Sequence, residues 1–272
     1  MINALDRVTR PYLMILRNSF LKDIEYRANY VIFIFAMVVT VLMEKAVFDQ
    51  VFSQRESAGN LSRDQALAFI LLGTIVRNAT AVWVLVGEAV DQIRDGSFRN
   101  FLLQPIHYPS YFFAQFVGPK FLTWTLSLVT LWVASLYVPA LSALFSWPVG
   151  GPFLLSLLLS FTIVGQIYLV LIYLGFWLED TSFLTISFNI AIGIFSGSQI
   201  PASWLPASLV SALQATPFLI LGDFPIRAGL GLLSGPDYNH YVILSLAWIA
   251  GFTLLNAYLW RAGTKRYESY GG

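Results

Sequence analysis

Few side chains in this sequence are equipped for chemistry, and their spacing narrows the field. There is no cysteine, which removes thiol nucleophiles, thiolate zinc sites and iron–sulfur ligation. The two histidines, His107 and His240, stand at the ends of apolar runs without a second histidine near either, so neither marks a metal centre. Serine and threonine are plentiful, but from residue 66 onward no histidine or carboxylate lies inside an apolar run to activate one. No Gly-x-x-x-x-Gly-Lys-Ser/Thr loop occurs, so the chain lacks that phosphate cradle for a nucleotide. What remains is a pair of misplaced charges, Arg77 and Glu44, each inside an apolar run. An arginine near the centre of such a run costs about 2.5–3.5 kcal/mol to insert into hydrocarbon. It needs a partner or a wet cavity. Glu44 is the counter-ion the sequence offers, and Arg77 either pairs with it structurally or lines a path through the membrane.

The elements that hold these residues follow from composition. Of 272 residues, 57% are hydrophobic and 11% charged, against about 25% charged in soluble domains, so the chain reads as a membrane protein. With 16 Lys+Arg against 15 Asp+Glu and no basic cluster, nothing suits nucleic acid. Crossing roughly 30 Å of hydrocarbon takes about 20 apolar residues. Six runs qualify: 29–49, 66–87, 111–137, 153–177, 182–200 and 240–260. No charge lies between Lys120 and Glu179, an interval that must hold two helices, broken at Pro139 and at Pro148-Val149-Gly150-Gly151-Pro152. Lysine and arginine resist translocation. Arg7, Arg10, Arg17, Lys22 and Arg27 precede the first run, and Arg261, Lys265 and Arg266 follow the last, which puts both termini in the cytoplasm. The fold class expected is an all-α, polytopic membrane protein of six transmembrane helices, forming one domain over 1–272. An uncleaved first anchor is expected, since Met43-Glu44-Lys45 stands where a small-residue cleavage site would be. Lys45 and Lys120 fall near run ends and are expected to snorkel to headgroups.

Three connecting segments carry more pattern than a linker needs. Residues 11–28 place Leu13, Leu16, Phe20 and Ile24 at helical spacing among Arg17, Lys22, Asp23 and Glu25, which predicts a helix lying in the membrane interface with that stripe toward lipid. In 88–99, Glu88, Asp91, Arg94 and Asp95 lie along a short amphipathic helix that Gly96 can end, with Ile93, Phe98, Phe101, Leu102 and Leu103 interleaved. That charged turn faces the cytoplasm and offers a surface on which a soluble partner can push. The segment 201–239 falls on the outer side. The 22 Phe, 13 Tyr and 8 Trp are weak evidence for an aromatic cavity, because Trp and Tyr collect at both interfaces anyway.

The run Glu88, Ile93, Gly96, Leu102, Leu103 and Pro105 resembles the stretch after the second span in membrane subunits of type-2 ABC exporters. Ser196-Gly197-Ser198-Gln199-Ile200-Pro201, with Trp204-Leu205-Pro206, Thr216-Pro217-Phe218, Asp223-Phe224-Pro225 and Gly229, is similar to that family's outer segment after the fifth span. Leu16 to Phe35, including Glu25-Tyr26-Arg27-Ala28-Asn29, looks like the opening of its shorter six-span branch. The resemblance implies a permease subunit in the cell inner membrane, paired with an identical or homologous second permease and with cytoplasmic ABC ATPase subunits. It binds no cofactor itself, and ATP with Mg is used by the partner. By the same resemblance 11–28 is the elbow helix and 88–99 the coupling helix, with Glu88, Asp91, Ile93, Arg94 and Gly96 meeting the ATPase. The segment 201–239 is then re-entrant, and Ile200, Pro201, Leu205 and Pro206 form an outer gate. Ser198-Gln199 departs from the more apolar pair usual there.

The function expected is export by alternating access, powered by a separate ATPase. An ion-coupled secondary transporter is the alternative, but such carriers hold ionisable groups near the midplane, and the last five runs contain no Asp or Glu. A structural membrane subunit that transports nothing is a further alternative.

Overall fold

The computed structural model describes residues 4–25, 57–58, 61–81 and 83–270, with separate positions between 32 and 50. Among the described residues the chain is all-α apart from a two-residue antiparallel ladder, Ser57–Ala58 with Leu61–Ser62. The helices whose bounds are described are, in order, α1 Ala4–Glu25, α2 Arg63–Thr80, α3 Trp83–Arg94, α4 Phe98–Leu102, α5 Tyr108–Ser135, α6 Trp147–Leu174, α7 Ser182–Phe195, α8 Ala207–Gln214, α9 Phe218–Leu221, α10 Asp223–Gly229 and α11 Gly235–Tyr270. Short 3-10 turns at Pro139–Phe145 and Ala202–Trp204 join some of them.

Among the described residues, three helices are long and apolar enough to cross a membrane: α5, α6 and Gly235–Tyr267 of α11. The other expected spans look different. The run 29–49 lies largely outside the described residues. The run 66–87 is interrupted, since α2 ends at Thr80 and Ala81 is extended, at φ −67° and ψ 132°. At this break Lys120 Nζ donates to the freed Asn78 O at 2.9 Å, Thr80 Oγ1 adds a bond to Val76 O at 2.9 Å, and the Ala81 N–H still closes the last helical bond to Arg77 O at 2.9 Å. Lys120 therefore serves a helix end, where a cation also suits the dipole, instead of reaching for headgroups. The run 182–200 becomes α7, whose 14 residues reach only about 21 Å. At the other extreme α11, with 36 residues, is about 54 Å long and outruns the hydrocarbon.

The expected break between the two central helices is found at Pro139 and not at 148–152. α6 starts at Trp147, so Pro148 sits in its first turn, where the missing N–H has no intrahelical partner to lose. The turn is residues 136–146, built on the Pro139–Phe145 segment. α2 begins with a full capping box: Ser62 Oγ accepts from the Gln65 N–H at 3.3 Å, and Gln65 Oε1 accepts from the Ser62 N–H at 3.0 Å.

α6 is the hub. It packs along α11, against α10 and α3, and beside α2. In the middle of that bundle Asn256 Nδ2 donates to Gln166 O at 3.0 Å and Thr253 Oγ1 to Gln166 Oε1 at 3.3 Å, a polar clasp between α6 and α11. α1 packs along α5. The expected apolar stripe of α1 is therefore split: Leu16 and Phe20 turn toward α5, Phe20 meeting Phe121 edge-on at 6.3 Å, while Leu13 stays 63% exposed. Tyr12 Oη accepts from the His107 N–H at 3.0 Å and ties the two helices at one end. Residues 26–28 of the expected elbow lie outside the described residues.

Candidate coupling and outer sites

The end of α3 is shaped by Gly96. Its φ of +82° is a left-handed conformation that stops the helix at little cost only for glycine. Asp95 Oδ1 then accepts from the Ser97 N–H at 2.8 Å, and hydrogen bonding from Ser97 holds the Asp95 carboxyl below its usual range. Asp180 makes the same turn with the Ser182 N–H at 2.7 Å and is lowered for the same reason. Glu88, Asp91 and Arg94 are exposed on α3, with Arg94 Nη2 3.3 Å from Asp91 Oδ1. Such a surface pair adds little stability, about 0–1 kcal/mol. Ile93 differs from them: it is 5% exposed and belongs to the core.

After the turn, α4 presents Phe98 to the bundle. Phe98 is 1% exposed and sits in an aromatic cage of Tyr108 at 5.2 Å, Phe176 at 5.6 Å, Phe101 at 5.7 Å, Tyr267 at 5.9 Å and Trp260 at 6.1 Å between ring centroids. Tyr108 and Trp260 are themselves stacked at 5.4 Å. Each aromatic pair adds about 0.5–1.5 kcal/mol beyond area burial, so α4 is pinned at once to the start of α5, the end of α6 and the end of α11. Beside the cage runs a cleft of 560 Å³ between the end of α3, residues 175–179 and the end of α11. Arg94, Arg99 and Arg266 line it against a single carboxylate, Glu179.

The turn after α7 organises the opposite end of the bundle. Arg77 Nη1 donates to Ser198 O at 3.2 Å and Nη2 to Thr74 Oγ1 at 3.2 Å. Glu44, the counter-ion expected for Arg77, lies outside the described residues. A Cβ on Gly73 would run into the Ser198 carbonyl oxygen, so α2 approaches this turn as closely as a backbone can. The Asp223 N–H donates to Ser196 O at 2.7 Å, fixing α10 to the same turn. Ser160 Oγ donates to Ile220 O at 2.5 Å, so the α9–α10 pair lies against the body of α6 instead of hanging off its end.

The expected gate residues divide. Pro201 is buried and Leu205 half-buried, and both line a cavity of 530 Å³, whereas Pro206 is exposed and Ile200 is 47% exposed. Bordering that cavity is Asp223, 2% exposed, its Oδ2 3.6 Å from Arg227 Nη1 and without a hydrogen bond. Burial pushes this carboxyl, in the segment between spans, up to about 6 against the opposing pull of Arg227 and the Ala202 N–H. Among the described residues no three His, Asp or Glu side chains gather as metal ligands, and His107 Nδ1 is 3.0 Å from Ser110 Oγ.

In the sequence Phe98 is one apolar residue among charges and Arg266 one charge that places the C-terminus, while Arg99 and Tyr267 carry no local signal; the cage and cleft they form join segments more than 150 positions apart. Asp223 was visible only as part of an Asp-Phe-Pro motif, and its burial is a tertiary fact.

Apolar helices of spanning length, an apolar exterior including Trp132, Leu136, Ile186 and Leu254, and charge gathered at the ends define a multi-pass membrane protein. The family model for ABC-2 family transporter proteins matches residues 34–271, and the chain belongs to that family. It is a permease subunit of an ABC transporter, associated with an ABC ATPase subunit that uses the ATP. No curated protein and no solved structure matches the chain.

Proposed function

We propose that this chain is half of an exporter, a single membrane domain over 1–272 with six spans and both termini in the cytoplasm of an inner-membrane assembly. A second permease, identical or homologous, completes the pathway, and the two halves alternate between inward- and outward-open arrangements. The segment 11–28 serves as elbow helix, with Leu13, Met14 and Leu21 exposed for lipid. Residues 88–99 are the coupling element on which the ATPase docks, through Glu88, Asp91 and Arg94, while Gly96 sets the turn. Ile93 anchors this element from inside the core. The arginine-lined cleft beside it suits acidic groups of the docked partner.

The observation that carries this reading is the Phe98 cage. It makes 88–99 rigid with respect to α5, α6 and α11, so nucleotide-driven movement of the ATPase pair displaces helices and not merely a loop. At the far end 201–239 forms a re-entrant pair of short helices, with Ile200, Pro201, Leu205 and Pro206 at the outer gate. Arg77 ties α2 to that gate through Ser198 O.

Co-purification tests the coupling. Tagged chain extracted in mild detergent carries the ATPase chain, and Glu88→Ala or Arg94→Glu is expected to weaken that association and lower ATP-dependent transport at least about tenfold, the scale of one lost charged contact. Unchanged retention and unchanged transport in both variants would overturn the assignment of 88–99.

A further inference from the structure

The coupling reading has no use for Asp223, yet its placement is costly. A carboxyl removed from water needs donors, and Oδ2 has none within hydrogen-bond distance although the side chain is 3% exposed and the residue borders a 530 Å³ cavity. The nearest cation, Arg227 Nη1, is 3.6 Å away, longer than the about 2.7–2.9 Å of a charge-assisted hydrogen bond. Arg227 is less deeply set: its side chain is 37% exposed, and it lines both this cavity and an adjoining one of 190 Å³, which Gln214, Asp237, His240 and Tyr241 also border. A strong acceptor thus lies buried in the cavity wall beside a guanidinium with solvent access, with Phe69, Leu205 and Leu219 supplying apolar wall.

This arrangement selects against singly charged ligands. A small anion drawn by Arg227 meets Asp223, and a small cation drawn by Asp223 meets Arg227. A ligand carrying both charges satisfies both groups, and its cation must own N–H donors, because Oδ2 lacks a hydrogen bond and not merely a counter-charge. We propose that the cavity binds a zwitterion, its primary ammonium on Asp223 and its anionic group on Arg227. The volume and apolar wall exceed what a bare zwitterion fills, which favours an amphiphile such as a phosphoethanolamine lipid headgroup. A soluble zwitterion offers the same chemistry.

Binding is read directly on the full chain, with any ATPase that accompanies it, and is independent of how the ATPase couples. Protein in nanodiscs of phosphatidylethanolamine mixed equally with phosphatidylcholine is extracted and its retained lipid weighed by native mass spectrometry. Retention of phosphatidylethanolamine about tenfold over phosphatidylcholine is expected, and Asp223→Asn and Arg227→Gln should each abolish the preference. If the lipids are retained equally but glycerophosphoethanolamine, and not glycerophosphocholine, raises the melting temperature of the wild type alone, the ligand is a soluble zwitterion held by the same two groups. Should Asp223→Asn fail to fold, Arg227→Gln, at the more exposed position, decides. Equal response to ethanolamine and choline forms in both assays overturns the proposal, as does a preference that survives every folded variant.

Discussion

Phe98 illustrates how one side chain decides the use of a segment. In sequence it is one of several apolar residues among charges; in the fold five aromatic rings surround it. Phe98→Ala removes a fully buried ring and is expected to cost about 3–5 kcal/mol, read as a lower melting temperature in detergent together with loss of co-purifying ATPase. Phe98→Leu, which keeps most of the volume, should retain both. An alanine variant that melts like the wild type would mean that the cage does not hold α4. Arg77 poses a different question. Its bonds to Ser198 O and Thr74 Oγ1 are of the charged kind, worth about 1.5–3 kcal/mol each. Arg77→Met is expected to destabilise the fold; transport at the wild-type rate by a normally assembled variant would remove Arg77 from the pathway. That Arg77 needed a partner was legible in the sequence, since an arginine in an apolar run is costly wherever it is found. That one partner is a backbone carbonyl 121 positions away was not, because every residue has a carbonyl and none is marked in sequence as available.

Helices are where local signals and tertiary contacts compete. The capping box at Ser62 and Gln65, the proline near the start of α6 and the glycine after α3 are local signals, and the structure uses all three. The break of α2 at Ala81 has no proline or glycine behind it and is sustained by Lys120 from α5. Close packing leads to a paired prediction. Gly73→Ala puts a methyl against the Ser198 carbonyl and should destabilise by about 1–3 kcal/mol. Gly87→Ala in α3 meets nothing within 4 Å and should be neutral or stabilising by up to about 1 kcal/mol, since alanine is the better helix former. Thermal unfolding of both in one detergent checks the contrast, and equal shifts would show that α2 does not touch the 196–198 turn.

For the whole molecule, the proposed topology places residue 97 and residue 203 on opposite sides of the membrane, since three spans separate them. The natural absence of cysteine makes the test clean. Ser97→Cys and Ser203→Cys, both exposed positions, are treated with a membrane-impermeant maleimide in intact cells and again after permeabilisation. Ser203→Cys should label in both cases and Ser97→Cys only after permeabilisation. Labelling of both in intact cells would contradict an odd number of crossings between them, and the reverse pattern would invert the orientation.

By itself the sequence determined the solvent this chain folds in, because hydropathy and charge are summed over short windows and need no partner. It determined where helices can start and stop wherever a capping residue or a left-handed glycine acts on its own turn, as at Ser62 and Gly96. The tertiary structure alone decided that Phe98, Trp260 and Tyr267 form one cage, that Arg94, Arg99 and Arg266 share one cleft, and that Asp223 lies buried beside a cavity. The reason is physical: in an apolar chain nearly every helix face is hydrophobic, so amphipathic patterning no longer states which face meets which neighbour. That choice passes to shape and to a few polar contacts made across the bundle.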